Sequence, residues 1–593
     1  MEEQTFNNVK KRYDELTAER ERYAPRWNET AKYVGIRVDP QNFWKEQEGN
    51  KSADLDKYTE DPTATLAVQQ SADYLKGIMW GTGDGAFSLL PSDDVLGLAD
   101  AESLKDWYEY CSDQVLAQMN EAKAGLNSHL NAYFYDQQAF GTSGVGAYPN
   151  SDNQADNVLT FRSYGVDTLC IDEGKSGLVE VIFNTYNWRV NRIVQEFACD
   201  ENGFNQQSFD NLPEDIRAAY NNGSYNNVFR IIHGVMPRAE YVKGALGKNG
   251  CKYIGYWFTE NSKNFFKTED YKELPIAVAR AIKLRGEIYG RASGTMLISS
   301  IRCINEAVAQ SMNAMAKMVS PPIGILNTAL FGDDVVDTSE DGLTVLNAAK
   351  LQGNQPIYPM IDVGDPSKLV QWLVPYLNEK IATAFKIDIL LDFSAQSDMT
   401  ATESLQRFSI RGRSISGMIL AQKVELFEPL IKRCVAICMD KGVCGINPDD
   451  TKLVAEMTEL GRVERIIPEA VMQCIKEGKR WYKIHFNNEV EKLGKTDKVD
   501  DLIKLINVVT SMATLYPQIV EAIDWYGLLA DITKALGSSD NLISADAFKE
   551  AVVAQAQAQA QALQAQTNQM DAKATRDNAL ALKDMSGGMN NGQ

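Results

Sequence analysis

Positive charge is scarce in this chain relative to negative: across 593 residues, 60 Lys and Arg face 80 Asp and Glu, for a formal net charge of −20. Proteins that hold nucleic acid by gripping phosphates displace condensed counterions with their own cations, so a deficit of this size excludes stable, stationary DNA binding as the task of the whole chain. Long apolar runs are absent as well. No window of 18 apolar residues occurs, and the N-terminal MEEQTFNNVKKRYDELTAERERY is a charged amphipathic pattern without the apolar centre of a signal peptide. Together these predict a chain that is soluble and intracellular when made, with no membrane partner. Paired cysteines are missing too. The nine Cys are scattered, odd in number and without a CxxC pair, which argues against a disulfide framework or a zinc ribbon. Cys434 and Cys438, four apart on one helical face with no further ligands nearby, read as buried packing thiols.

The chemistry-bearing motifs are equally sparse. GKS at 174–176 and GKT at 494–496 have Leu169 and Glu489 where a phosphate-binding loop needs its first glycine. GTGDG at 81–85 follows a helical pattern instead of opening one, so it reads as a turn and not as a dinucleotide site. His129, His233 and His485 show no ligand spacing and read as structural or surface histidines. The acidic stretch GDDVVDTSEDG (332–342) misplaces the glycine and final Glu of a calcium loop and reads as solvated. No catalytic residue, metal or cofactor is expected, and an enzyme is the least favoured of the rival readings.

What is present is ordinary globular composition, 44% hydrophobic and 24% charged, in a chain long enough for several domains. Residues 1–34 carry Phe6, Val9, Tyr13, Leu16, Tyr23 and Trp27 at helical spacing, with a break expected near Pro25. Asp61 and Pro62 open a second helical pattern. Helical patterns over 101–123 and 126–139 lead to a Gly-rich corner. From there to about residue 260 the periodicity shifts to alternation, interrupted by a short helix at LPEDIRAAYNN, so this region is α+β.

Beyond it, Leu297, Ile301, Ile304, Val308, Met312, Met315 and Val319 recur at steps of three and four, one continuous apolar stripe. Burying seven such side chains is worth at most roughly 10–20 kcal/mol, so the helix demands a partner surface along its length. Its other face, with Arg302, Asn305 and Lys317, is expected to face water. Residues 321–366 read as a small β-containing insertion. A further helix follows at 366–391, with a kink or short break expected at Pro375, and then a long helix at 400–438 with a capping-box spacing at Thr400 and Glu403. RWYKIHF (480–486) reads as a strand. The Ala/Gln-rich segment near the C-terminus reads as a helix packed among neighbours or as a solvated tail.

The order of these blocks resembles the portal, or head-to-tail connector, family of short-tailed double-stranded DNA bacteriophages. The resemblance rests on KKRYDELTAERERYAPRWNETAKY, on DPTATLAVQQSADYLKGIMW through FSLLP, and on LPEDIRAA (212–219). It rests also on LPIAVARAIKLRGEIYGRA (274–292), MVSPPIGIL (318–326) and TATESLQRFSIRGRSISGMILAQKVELFEPLIKRC (400–434), so that it covers most of residues 1–440. It implies a mainly helical α+β portal fold, assembled as a homododecameric ring around a DNA channel. The implied regions are a wing at 1–288, stem helices at 289–320 and 366–391, and a clip at 321–365. A channel loop, long wing helix and C-terminal wing follow at 392–497, and a crown at 498–593.

The channel loop FSAQSDM then makes Gln396, Ser397 and Asp398 candidates for facing DNA, and Arg302, Lys317, Lys380 and Lys386 candidates for basic rings on the channel wall. The implied place is the virion, at a unique capsid vertex, after assembly in the host cytoplasm. The implied partners are double-stranded DNA, the terminase large subunit, a tail adaptor protein, and the major capsid and scaffolding or core proteins. The main alternative is another virion structural protein, such as an internal core or tail-tube component.

Overall fold

The computed structural model describes residues 2–34, 60–81, 85–150, 157–200, 203–245, 247–319, 323–325, 357–359, 367–387, 417–446 and 466–486, together with residues 573, 575 and 576. The chain divides into two compact units, Met1–Asn488 and Glu489–Gln593. All that follows concerns the first.

Two helices open the chain, α1 (Glu2–Glu21) and α2 (Ala24–Val34), with the break at residues 22–23 and Pro25 in the first turn of α2, where its missing N–H costs no intrahelical bond. Helix α3 (Thr63–Met79) starts where Asp61 accepts a hydrogen bond from the Thr63 amide at 2.8 Å. Strand β1 (Phe87–Pro91) is followed by α4 (Ala101–Asn120) and α5 (Leu126–Phe140). Next come β2 (Thr142–Pro149), β3 (Leu159–Gly165), β4 (Leu169–Glu173) and β5 (Val179–Arg189). A helical excursion contains α6 (Val190–Phe197) and α7 (Glu214–Asn221). It returns to β6 (Val228–Pro237), β7 (Tyr253–Thr259), β8 (Lys267–Tyr271) and β9 (Ile276–Arg280).

Strands β8, β7, β6, β5 and β4, in that order, form a five-stranded antiparallel sheet, and β9, β2 and β3 form a three-stranded one. Alternation along the larger sheet sends neighbouring residues to opposite faces. Cys170, Phe183, Ile232 and Phe258 meet Phe6, Val9, Tyr13 and Leu16 of α1. Ile171, Ile182, Ile231 and Trp257 join the main core, with Trp27 of α2 and Val68 of α3. The stripe on the first helix thus covers one face of a sheet drawn from residues 169–271.

The remaining elements are α8 (Ile298–Val319), the paired short strands β10 (Ile323–Ile325) and β11 (Ile357–Pro359), α9 (Ser367–Ala384), α10 (Glu428–Asp440) and β12 (Tyr482–Phe486). The FSLLP segment, given no element from sequence, is β1 and pairs antiparallel with β12, Phe87 opposite Phe486. Two sequence expectations are corrected. The helix expected from 289 begins as a short turn, Ser293–Met296, and starts again at Ile298. Of the kink or short break expected at Pro375, the break does not occur: helix α9 runs through it, and the core packing of Leu377 and Ile381, with Phe385 just beyond the helix, offsets the lost hydrogen bond. The Thr400/Glu403 capping spacing lies outside the described residues.

Buried thiols and histidines fit their structural readings. Cys434 and Cys438 are fully buried, and burial pushes both thiols up. His129 Nδ1 lies 3.2 Å from the Ser163 amide and hydroxyl. His233 stacks on Trp257, directly opposite it in the sheet, at 4.0 Å between ring centroids.

Candidate functional site

The helix pair α8 and α9 brackets the β10–β11 pair and is the element to which most sequence-predicted site residues belong. Its root is built into the body of the molecule. Gly141, at φ +94°, and Gly290 approach so closely that a Cβ on either would collide with the other's carbonyl. The Ala281 amide donates to the Gly141 carbonyl at 2.8 Å, and the Gly290 amide to Thr142 Oγ1 at 2.8 Å. Arg26 of α2 donates through Nε (3.0 Å) and Nη2 (2.8 Å) to the Thr295 carbonyl, and Ser293 Oγ donates to the Ala384 carbonyl at 2.9 Å. The short turn before α8 is therefore clamped between α2 and the end of α9.

The apolar stripe of α8 divides in two. Ile301 and Ile304 are fully buried, and with Leu377 and Ile381 of α9 and Phe385 just after it they belong to the main core; Leu297 and Val308 pack against it half-buried. Further along, Met312 and Met315 are 56% and 45% exposed, as is Met318 at 50%. The side chain of Val319 lies outside the described residues. The opposing helix repeats this pattern: Trp372 is 67% and Tyr376 47% exposed, stacked on each other at 6.0 Å and 8°. Among the described residues the stripe is covered along its first half and exposed along its second.

The basic candidates are dispersed along the pair. Arg302 is exposed but donates to Glu29 Oε1 of α2 at 3.1 Å. Lys317 is exposed in the last turn of α8, and Lys380 lies over the Tyr376 ring at 5.4 Å, continuing the Trp372–Tyr376 ladder. Lys386 sits at the root, in the left-handed region at φ 56°, the one non-glycine residue there among the described residues. Burial lowers its pKa, and it lines a cavity of about 560 Å³ with Lys283, Met296, Leu297, Phe385 and Met418. Gln396, Ser397 and Asp398 lie outside the described residues.

Asn305 corrects the expectation that the far face of α8 meets water. It is buried, and its Oδ1 accepts from the amides of Glu60 and Asp61 at 2.8 and 3.0 Å, fixing the approach to α3. Sequence reasoning also passed over Arg280, which is fully buried and donates to Glu173, Glu425 and the carbonyls of Gly177 and Ile288. The mark it left in the sequence was a lone Arg inside the apolar run IAVARAI. No group of His, Cys, Asp and Glu among the described residues is placed to hold a metal ion, and no described helix is long and apolar enough to cross a membrane.

Residues 7–453 match the family described as bacteriophage head to tail connecting protein. The chain belongs to that family. The connector is 20% identical over 269 residues to the portal protein of Salmonella phage epsilon15, a match spanning 44% of this chain and 45% of that protein, so it covers less than half of that relative's length. Among solved structures it aligns with a chain from the neck of an empty GTA particle, at 12% identity over 73% of this chain and 95% of that one; the TM-score is 0.28, too low to carry an argument. The connector is thus a mixed helix-and-strand structural component of a phage particle.

Proposed function

We propose that this connector is the portal subunit of a short-tailed double-stranded DNA phage, closing into a ring of twelve copies at one capsid vertex. Through that ring the genome would be packaged by a docked terminase large subunit and later ejected, once a tail adaptor protein has joined. The reading is supported above all by the α8–α9 pair, whose far half leaves Met312, Met315, Met318, Trp372 and Tyr376 45–67% exposed among the described residues. A contiguous apolar strip of this kind marks an interaction surface. In the proposed arrangement residues 289–320 and 366–391 are the stem, 321–365 the clip, 1–288 the wing, 392–497 the channel loop, long wing helix and C-terminal wing, and 498–593 the crown. Capsid and scaffolding or core proteins surround it in the virion, after assembly in the host cytoplasm.

In a conduit, strong phosphate binding acts as friction, so an acidic chain suits a channel through which DNA slides. Over a screening length of about 8 Å only local wall charges count. Lys317 and Lys380 are the best placed of the four basic candidates, being exposed on the pair, while Arg302 is engaged by Glu29 and Lys386 by the root. Gln396, Ser397 and Asp398 are proposed as channel-loop residues.

The test is native mass measurement and end-on electron-microscope averages of the purified full chain. Twelve copies around a central channel are expected. A monomer, or a tube or shell without a twelve-copy ring, overturns the reading, the latter in favour of an internal core or tail-tube component. In the assembled particle, replacing Arg302, Lys317, Lys380 and Lys386 together by Ala is expected to alter DNA packaging or retention, and unchanged packaging removes those residues from the channel wall.

A further inference from the structure

The helix leading into α10 changes pitch. Residues 417–422 are α-helical, Lys423–Phe427 form one turn of π-helix, and α-helix resumes at Glu428. A π turn holds one residue more than an α turn in the same place and persists only where its surroundings favour it. Three buried contacts do so here. Tyr133 donates through its hydroxyl to Gln422 Oε1. Phe427 stacks on Trp80 at 5.6 Å and 5°. Between them, Glu425 Oε2 accepts from the Arg280 amide at 2.9 Å and from its Nε at 3.3 Å, while Oε1 accepts from Nη2 at 2.5 Å.

Uniform α-helical pitch would break this set. With Phe427 kept on Trp80, loss of the extra residue from the turn rotates residues 417–422 by about 100° and slides them about 1.5 Å, bringing Lys423 to the place of Gln422 before Tyr133. Arg280 meanwhile reaches the other way, into the turn between β4 and β5. Its Nη1 donates to Glu173 Oε1 and its Nη2 to the Gly177 carbonyl at 2.8 Å, and Lys283 Nζ donates to Glu173 Oε2 and the Gly177 carbonyl, both at 2.9 Å. Lys175 and Ser176, at the tip of that turn, are exposed. One buried guanidinium therefore joins an exposed hairpin tip to the pitch of a helix.

We propose that Lys423–Phe427 is a register lock: a turn with two discrete states, held in the π state by the Arg280–Glu425 ion pair and coupled through Arg280 to the β4–β5 turn. A partner that displaces the tip releases the lock, and residues 417–422 advance by one residue against α10. A buried ion pair specifies register better than it adds stability, and a packed helix moves between discrete arrangements instead of deforming smoothly. The inference does not depend on the number of copies in the assembly.

The test places nitroxide labels on the full chain, with the exposed Cys199 and Cys303 replaced by Ser. One label is at Leu420, which is 59% exposed, and the reference labels are at Glu15 and, in a second sample, Lys105. A point on the helix surface, about 5 Å from the axis, moves by about 8 Å in a 100° rotation, so distances should shift by several ångströms in at least one sample. The shift is expected in E425Q and in the R280M/E425M pair, which removes both charges without stranding one. A chain lacking Val424, in which the extra residue is gone and both flanks stay in place, is expected to keep the wild-type distances. Wild-type distances in the folded R280M/E425M chain overturn the lock. A shift there with none in E173Q leaves the lock standing and overturns its coupling to the hairpin tip.

Discussion

The two halves of the α8–α9 pair carry the same kind of sequence and meet opposite fates. At the root, Ile301, Ile304 and Ile381 are wholly buried in a core shared with α2, α3 and the large sheet. Toward the β10–β11 end, the same helical spacing sets Met312, Met315, Trp372 and Tyr376 in the open. Periodicity states that a helix has an apolar face and is silent on who covers it. The root is covered by its own chain, and the choice of residue follows: β-branched Ile in the rigid core, and adaptable Met with large, flat aromatics on the uncovered half.

The sharpest way to break this comparison is at the root. F385A removes a buried ring beneath Ser71, whose hydroxyl donates to the Phe385 carbonyl at 3.2 Å. It is expected to destabilise the chain by about 3–5 kcal/mol, read as a lowered urea midpoint.

Acid provides a second contrast, because it should weaken the body of the molecule while leaving the uncovered strip untouched. Burial lowers the His233 pKa to about 4, helped by Lys267 and Arg162 and opposed by Glu269. The unfolded chain, with an ordinary histidine, takes up a proton below about pH 6.5 and the folded chain does not. The folded state therefore binds fewer protons between pH 6.5 and 4, and stability falls through that window by up to about 3 kcal/mol. Burial pushes the Glu269 carboxyl up, but Lys267, His233 and its hydrogen bonds outweigh it and hold the pKa at about 2. Its contribution is present above the ordinary carboxylate range and is lost as pH falls toward 2, so it adds to the acid loss. Urea midpoints measured from pH 7 to 4 should fall in the wild type and fall less in H233Q.

The smallest effect on folding is expected at W372A. Its cost to the isolated subunit should stay within about 0.5 kcal/mol, since little of the indole is buried. The same change should weaken self-assembly, seen as a lower oligomer fraction by sedimentation. A W372A subunit as destabilised as F385A would erase the distinction between the halves.

How far the sequence could be read follows from the range of the forces involved. The break near Pro25 and the α1 stripe are local or periodic and stand in the structure as expected, and Asp61 holds the Thr63 amide although the cap position itself falls on Pro62. The pairing of Phe87–Pro91 with Tyr482–Phe486 joins segments far apart in sequence, and a five-residue run carries no mark of its partner. Polarity alone points Asn305 to water, yet its amide oxygen satisfies two backbone donors that have no helix to bond to. The π turn leaves no periodic signal, because a single extra residue hides within the tolerance of a 3.6-residue repeat. Of the basic candidates, Arg302, Lys317 and Lys380 are exposed and Lys386 is half-buried, and no sequence signal shows that Arg302 answers Glu29.

The contact of Gly141 with Gly290 has a mechanical meaning. Where helices meet a body through side chains, load can be shed by rotamer changes, and the joint yields. Here main chain rests on main chain, braced by the Ala281 and Gly290 amides and by Arg26 on the Thr295 carbonyl. A force along the helix pair would pass undamped into the sheets, making this crossing the fulcrum of a lever and not a hinge.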